Sequence, residues 1–451
     1  MNQLSATLLT RRSLLASASV ATLGALGLPA WGASPTRRPR VAAIFTELRF
    51  RSHAFNILEN FFQPYLFRGE FVDPGCEVVS FFADQFPADD MAREASQQLG
   101  VPLFKSIDEA VCVGGKKLAV DAVLLIGEHG EYPYNELGQH LYPRKQFFDQ
   151  IVAVMRRSGR YVPLFNDKHL SYRWDWAREM YDTARQHGMP MLAGSSVPLA
   201  ERRPEWELPP DAEIEEAVSI HGGGMESYDF HAFELLQSIV ESRRGGETGV
   251  AKIETLAGDA LQRAGDAGRW SRELFTAAMR SEAEMHPARQ TRPLPNTRPS
   301  AIAEPDNPDQ IKHAILVTYR DGLRATVFAV GNTSNRWNFA CRLKGDAKPR
   351  SLAIYNGPWG NRCLFKALSH AIQHLFAHGA EPYPLERTLL TTGMTEAVMK
   401  SHTGGQPVET PHLAISYRSP DWRDFRENGE SWKILTSDSP QSQKFEPGDK
   451  R

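Results

Sequence analysis

RVAAIFTELRFRSHAFNIL, residues 40–58, decides how the chain is read. Residues 41–45 form an apolar, β-type run, and no glycine follows them: none occurs between Gly32 and Gly69, and Leu48, Arg49, Phe50 and Arg51 occupy the stretch after the run. From this run to about residue 196, short β-branched or aromatic runs alternate with helical patterns. The runs lie at 41–46, 77–82, 121–126, 161–165 and 191–194. Amphipathic segments such as DDMAREASQQLG and RKQFFDQIVAVMRRSG lie between them and stop at glycine. Such alternation predicts an α/β layer, a Rossmann-like doubly wound parallel sheet over residues 40–200 with helices on both faces, whose ligands bind beyond the carboxyl ends of the strands.

After GSSVPLAERRPEWELPP the pattern changes. Residues 201–435 carry a helix at 226–241 and longer strand candidates at 250–256, 314–319, 325–330 and 351–355, followed by helices at 364–378 and 385–401. This predicts an α+β domain with a mostly antiparallel, open-faced sheet. Residues 285–310 hold six prolines and read as a surface loop, and residues 436–451 as a disordered tail.

With 451 residues and 41% apolar composition the chain can bury a sizeable core. Its 52 basic and 54 acidic residues nearly cancel, and no basic run with interleaved aromatics occurs after the N-terminal segment, so no nucleic-acid partner is expected and a small molecule is. At the N-terminus, Arg11-Arg12 precedes a weakly apolar stretch, 14–28, that is too short and too rich in Ala, Ser and Gly to span a bilayer well. Residues 1–33 resemble a twin-arginine signal peptide, which implies handling by the twin-arginine export machinery and a periplasmic or exported protein. Cys76, Cys112, Cys341 and Cys363 show no CxxC spacing, so neither a zinc knuckle nor a redox dithiol is indicated.

From about residue 40 to 418 the chain resembles the glucose-fructose oxidoreductase and inositol dehydrogenase family (Gfo/Idh/MocA). DAVLLIGEHGE is similar to the family's fourth strand and the loop near the nicotinamide. GRYVPLFNDKHLS is similar to the fifth strand and its Glu-Lys-Pro signature, with Asp167, Lys168 and His169 in those three places. GGGMESYDFHAFELLQSIVE is similar to the glycine-led helix that bears the family's histidine, here His231, and the segment from FKALSHAIQHL to QPVETP is similar to the closing helix pair and last strand. The resemblance implies a dehydrogenase using NAD or NADP on a sugar, cyclitol or related polyol, with His231 as base, Lys168 as orienting cation and a homo-oligomer formed through the open sheet face. The family's acid four residues before the histidine is Ser227 here, with Glu226 and Asp229 beside it.

The family's G-x-G-x-x-G turn is absent. Glycines serve there because the backbone must turn tightly and approach a pyrophosphate with no Cβ in the way, and bulky side chains obstruct that approach. A helix N-terminus together with Arg49 or Arg51 would supply charge instead. Asp84 stands where the ribose-binding acid would, after an insertion, FQPYLFRGEFVDPG, and Glu128 and His129 complete the expected cofactor-side group. Asp167, His169, Glu226 and Asp229 form the expected substrate-side group.

Each assignment has a plainer reading. Lys168 can serve as a structural ion-pair partner of Asp167 or Glu128, and His231 as a satisfied core histidine. His129, Glu131, Asp167, His169 and His231 are possible ligands, but no HExxH-like spacing occurs and no metal is expected. His370, His374 and His378 recur every four residues and read as a solvated stripe. YRWDW (172–176), NTSNRWN (332–338) and YNGPWG (355–360) are sugar-stacking candidates or packing elements. Besides the NAD(P)-dependent oxidoreductase, the sequence leaves open an inactive carbohydrate-binding or scaffold protein and a non-redox lyase or glycosidase.

Overall fold

The computed structural model describes residues 37–285 and 311–445. The expected signal peptide, nearly all of the proline-rich loop and the last residues of the tail lie outside them. The first layer runs β1 (Arg40–Phe45), α1 (His53–Phe62), β2 (Tyr65–Phe67), β3 (Glu70–Val72), β4 (Glu77–Ala83), α2 (Ala92–Leu99) and β5 (Leu103–Phe104). It continues with α3 (Ile107–Cys112), β6 (Ala122–Ile126), α4 (Arg144–Ser158), β7 (Leu164–Asp167), α5 (Trp174–Gln186) and β8 (Met191–Gly194). Six of these strands make one parallel sheet in the order β5-β4-β1-β6-β7-β8. β1 pairs with β4 and with β6, so both of its edges and both faces are covered, which is why Val41 to Phe45 read as an unbroken apolar run. Strand order reverses between β1 and β6, the place where such sheets open a crevice for ligands. The insertion before β4 folds into the β2–β3 hairpin, turned by Arg68 and Gly69, both at positive φ.

The second layer holds β9 (Glu201–Arg203), β10 (Ile214–His221), α6 (Ser227–Val240), β11 (Val250–Leu256), α7 (Gly258–Asp266), α8 (Arg272–Met285), β12 (Ile311–Tyr319) and β13 (Arg324–Val330). It ends with β14 (Trp337–Leu343), β15 (Arg350–Tyr355), α9 (Asn361–His378), α10 (Leu385–Gly404) and β16 (Val408–Glu409). Its eight strands follow the order β16-β11-β12-β13-β10-β14-β15-β9, antiparallel except for the β10–β13 pair. One face carries α6 and α10. The other face, expected to stand open, is covered: Leu261, Trp270, Leu274, Phe275 and Met279 of the α7–α8 excursion pack on Val218, Ile220, Phe328 and Ala340. The surface expected to join subunits is therefore spent inside the chain.

The expected tail disorder from residue 436 also gives way to structure, because Phe445 is buried and stacks on Phe55 of α1 at 5.0 Å between ring centroids. His370 likewise leaves the expected solvated stripe: its Nδ1 lies 3.0 Å from the Tyr65 hydroxyl and its ring stacks on Phe67. Trp174 packs against Gly393 of α10, where any Cβ would lie 2.8 Å from the indole. Arg336 donates to Glu282 at 2.6 Å, and Asn338 to the same carboxylate at 3.0 Å. The first two aromatic and amide clusters are thus packing elements, and the third places Trp359 under Arg362 and Lys366.

Buried ion pairs hold the second layer together and join it to the first. Arg387 of α10 meets Glu241 after α6, a carboxylate that also accepts from the Tyr417 hydroxyl at 2.8 Å and the Trp422 indole at 3.3 Å. Arg362 of α9 meets Glu59 of α1. Removing one partner of such a pair strands a buried charge, so Arg387→Met is expected to lower unfolding free energy by about 3–5 kcal/mol in a urea titration. A loss under about 1 kcal/mol would show that the pair contributes little.

Candidate active site

The carboxyl ends of β6, β7 and β8 and the N-terminus of α6 converge on one pocket. Glu128, two residues beyond β6, is its centre: Oε1 accepts from Lys168 Nζ at 2.8 Å and Oε2 pairs with Arg144, which enters from the first turn of α4. Burial alone would raise this carboxyl's pKa, but the Lys168 and Arg144 charges outweigh it and hold the group well below the usual carboxylate range. Arg144 also donates to His169 Nε2 at 3.2 Å, and burial followed by the Arg144 charge keeps that ring neutral.

Lys168 follows β7 at φ 62°, a left-handed conformation costly for a side-chain residue, which turns its ammonium across the sheet edge. Nζ donates to Ser227 Oγ at 2.8 Å as well as to Glu128. Ser227, at the place of the family's acid, thus ties the α6 N-terminus to Lys168. One turn along α6, His231 Nδ1 lies 2.6 Å from Ser195 Oγ, beyond β8, while Nε2 has no hydrogen-bond partner among the described residues. Burial, then the charges of Lys168 and His53, push the His231 pKa well below its usual value, so the ring is neutral. Trp337 and Tyr228 lie against it.

Glu226 caps α6 at φ 63°, ψ −75°, with Asp229 closing a capping box. Its Oε2 accepts the His140 N–H at 3.0 Å, and its Oε1 is buried without a partner. Asp229 is completely buried on the other side of this cap: Oδ1 receives His221 Nε2 at 2.9 Å and His313 Nε2 at 2.8 Å, and Oδ2 the Glu226 N–H at 2.9 Å. Asp229 supports the pocket and does not line it. Its trio has the composition of a metal site. The Gly223 N–H, however, points at His221 Nδ1 at 3.2 Å, which leaves the ring proton on Nε2, the atom that a metal would bind.

Asp167 is also committed, 2.7 Å from Nδ1 of His53 at the start of α1, and His53 meets the His129 ring edge-on. His129 stands at φ 72° with Nε2 buried and unpartnered, and burial and His53 push its pKa down to about 3. The sequence reading therefore assembled Glu128, His129, Asp167, Lys168, His169, Glu226 and His231 in one place. It missed Arg144, His53, His140 and Ser195. Arg144 and His53 stand where an ordinary helix begins, and nothing local marks them as inward-facing.

The cofactor side is different. Asp84 Oδ2 receives the Tyr132 hydroxyl at 2.6 Å. Beside it, Gln85 Nε2 donates to Glu131 O at 3.0 Å and Gln85 Oε1 accepts the Glu131 N–H at 2.8 Å. The loop after β6 is thereby clasped to the loop after β4, on either side of β1. Gly130, at φ 98°, permits this, since a Cβ there would lie 2.9 Å from both Gln85 Oε1 and the Tyr132 ring.

Beneath the clasp Leu48 is fully buried and its carbonyl accepts the Met91 N–H at 2.7 Å. Ser52 Oγ takes the Phe55 and Arg49 amides at 3.2 and 3.3 Å. Arg49 is paired with Glu47, and Arg51 turns away to Gln441 at 2.6 Å. A dinucleotide needs free amides, space above the β1–α1 turn and an unclaimed ribose acid. Here Ser52 Oγ already takes two of the turn's amides, no glycine opens the turn, and Asp84 is bonded to Tyr132, so the residues present do not fit it as they stand.

No family model matches the chain, and no curated protein matches it. Among solved structures it is similar to GenD2 from gentamicin A biosynthesis in complex with NAD, with 11% identity, 85% of this chain and 99% of that one covered, and a TM-score of 0.51. Scyllo-inositol dehydrogenase from Lactobacillus casei with bound NAD(H) and scyllo-inositol gives 11% identity, coverages of 83% and 99% and a TM-score of 0.49. A myo-inositol dehydrogenase from Corynebacterium glutamicum gives 13%, 83%, 99% and 0.47. At such identity the GenD2 likeness establishes the fold alone: this chain shares the two-layer fold of that protein.

The clasp can be tested without any ligand. Gln85→Ala should speed hydrogen exchange at the Glu131 amide by at least about tenfold, a loss of roughly 1.4 kcal/mol of local protection, leaving β1 amides unchanged. Unchanged exchange at Glu131 would mean that the two loops are not joined there.

Proposed function

We propose that this chain acts on a sugar, cyclitol or related polyol bound at Lys168 and His231, by proton transfer and without a resident dinucleotide. The observation that carries the reading is the pairing of a fixed ammonium with a neutral imidazole. Lys168 is held by Glu128 and Ser227, and His231 keeps Nε2 unbonded in the same pocket. An ammonium beside a substrate hydroxyl lowers the hydroxyl pKa and orients it, and a neutral ring nitrogen takes its proton. His169 and Arg144 are positioned to complete the polar wall. The closed crevice over β1 supports the nucleotide-free form.

The second reading is an NAD- or NADP-dependent oxidation of the same substrates, favoured by the fold and by Lys168 and His231 standing where the family has its catalytic pair. It requires the Tyr132–Asp84 and Gln85–Glu131 contacts to open. Export through the twin-arginine machinery, and hence a periplasmic or exported location, is part of the proposal and rests on residues 1–33. Self-association is also part of the proposal and rests on the family resemblance; it would have to use a surface other than the α7–α8 side of the second sheet.

Purified protein should release no nicotinamide absorbance or fluorescence on denaturation, and should show no saturable binding of NAD, NADH, NADP or NADPH below about 1 mM. Nucleotide release or micromolar binding would favour the oxidoreductase instead. Against a panel of aldoses, aldonates and cyclitols that includes scyllo-inositol, turnover followed by NMR should fall at least about 100-fold in Lys168→Ala. Absence of any binding across the panel would end the polyol assignment.

A further inference from the structure

Glu226 has a geometry that helix capping alone does not require. Asn, Asp, Ser or Thr cap a helix with ordinary extended backbone, whereas Glu226 caps α6 at φ 63°, ψ −75°, outside the regions open to side-chain residues. Backbone held in this way marks a residue whose side chain must point somewhere particular. The support lies underneath: Asp229 Oδ2 holds the Glu226 N–H, and Asp229 is itself fixed by His221 and His313. The burial and the His313 and His221 contacts on Asp229 work in opposite directions, and the histidines win, keeping it ionised as an acceptor.

The carboxyl so aimed is divided in its work. Oε2 takes the His140 N–H, while Oε1 is buried with no partner among the described residues, as are Nε2 of His129 and Nδ1 of His169 nearby. Ser227, the next residue, receives Lys168 Nζ, and the Lys168 charge is felt at the Glu226 carboxyl. We propose that Glu226 is a proton-transfer residue of this pocket: Oε1–H gives its proton to a substrate oxygen bound beside Lys168 as His231 Nε2 takes the proton of the substrate hydroxyl, and the imidazolium then returns a proton to the Glu226 carboxylate through water. This rests on the polyol reading of the pocket. The step is a proton relocation only: the O–H bond of Glu226 breaks, an O–H bond to substrate forms, and no oxidant or reductant is consumed.

The groups facing Glu226 are His140 from the loop before α4, Arg144 from α4, Glu128 after β6, Lys168 after β7 and Asp229 on α6. Burial raises its pKa first; the His140 N–H and the Arg144 charge oppose this, Glu128 adds to it, and the result is about 7. An acid with that value is half ready to donate and half ready to accept at neutral pH. The sign for stability follows. The native state binds the proton more tightly than the unfolded chain, so this contribution is complete below the ordinary carboxylate range and is lost as pH rises through about 7.

Glu226→Gln tests the role because the amide oxygen can still accept the backbone N–H and keep the cap, but the side chain can no longer transfer a proton. On whichever panel substrate is turned over, kcat should fall at least about 100-fold with KM within about threefold, the pH limb near neutrality should vanish, and Glu226→Asp should recover part of the rate. Wild-type turnover and pH profile in Glu226→Gln would overturn the proposal. A second measurement does not depend on any substrate. A difference infrared titration of the whole protein should contain a protonated-carboxyl band that disappears near neutral pH and is missing from Glu226→Gln. If that band titrates in the ordinary carboxylate range, Glu226 is not the proton carrier, whatever the pocket binds. Failure of the substrate panel alongside the expected band would count against the polyol reading alone.

Discussion

One carboxylate, shared between two buried cations, holds the pocket together. Placing Glu128, Arg144 and Lys168 in a dry interior costs several kcal/mol per ion, and the cluster is tolerable only because each charge is hydrogen-bonded on more than one side. What this cost obtains is direction. Lys168 would relax from its left-handed backbone if its ammonium had another acceptor, and His129 beside Glu128 is in the same conformation. Glu226 adds a third residue of the kind across the pocket. Three strained side-chain residues around one ion cluster are what a site selected for geometry looks like, and a core selected only for stability would have no reason to keep them.

The support extends one layer further. His221 on β10 and His313 on β12 converge on Asp229, so the second sheet reaches the pocket through the α6 cap. Ser195 beyond β8 sets His231. The pocket is therefore assembled from both layers, which the buried Arg362–Glu59 pair ties together.

The fold was legible because it is written in local patterns. β8 and β11 lie at the boundaries that their apolar runs predict, and α9 ends at Gly379, in the left-handed conformation that glycine favours. β14 was not legible, since WNFACRL begins inside a polar cluster whose Asn338 and Arg336 are buried only because Glu282 of α8 comes to meet them. The covered second face has the same origin: α7 and α8 have to be known to fold back before the sheet can be known to be closed. In the site, Glu128, Lys168 and His231 stood out by position at strand ends or by resemblance. Arg144 and His53 did not, because their partners are 16 and 114 residues away. Asp229 was placed on the substrate side because sequence gives no sign of which way a residue in the first turn of a helix will face.

The missing glycines at residues 46–52 and the clasp over β1 are two ends of one change. A turn built from Leu48 and Arg49 carries side chains where a glycine turn has none, and Leu48 is fully buried. Asp84, exposed beyond the end of β4, is taken by the Tyr132 hydroxyl in place of a ribose. Gln85 and the Glu131 backbone then saturate each other in the same way. On the nucleotide side of the crevice, Asp84, Gln85 and the Glu131 backbone are therefore engaged with one another's loops. The substrate half keeps Glu226 Oε1 buried and unpartnered among the described residues and holds Glu226 and Lys168 at positive φ. Loss of function by drift would erode both halves alike. Closure of one half with the other kept open and strained is the pattern expected when the chemistry has moved onto the chain's own acids and bases.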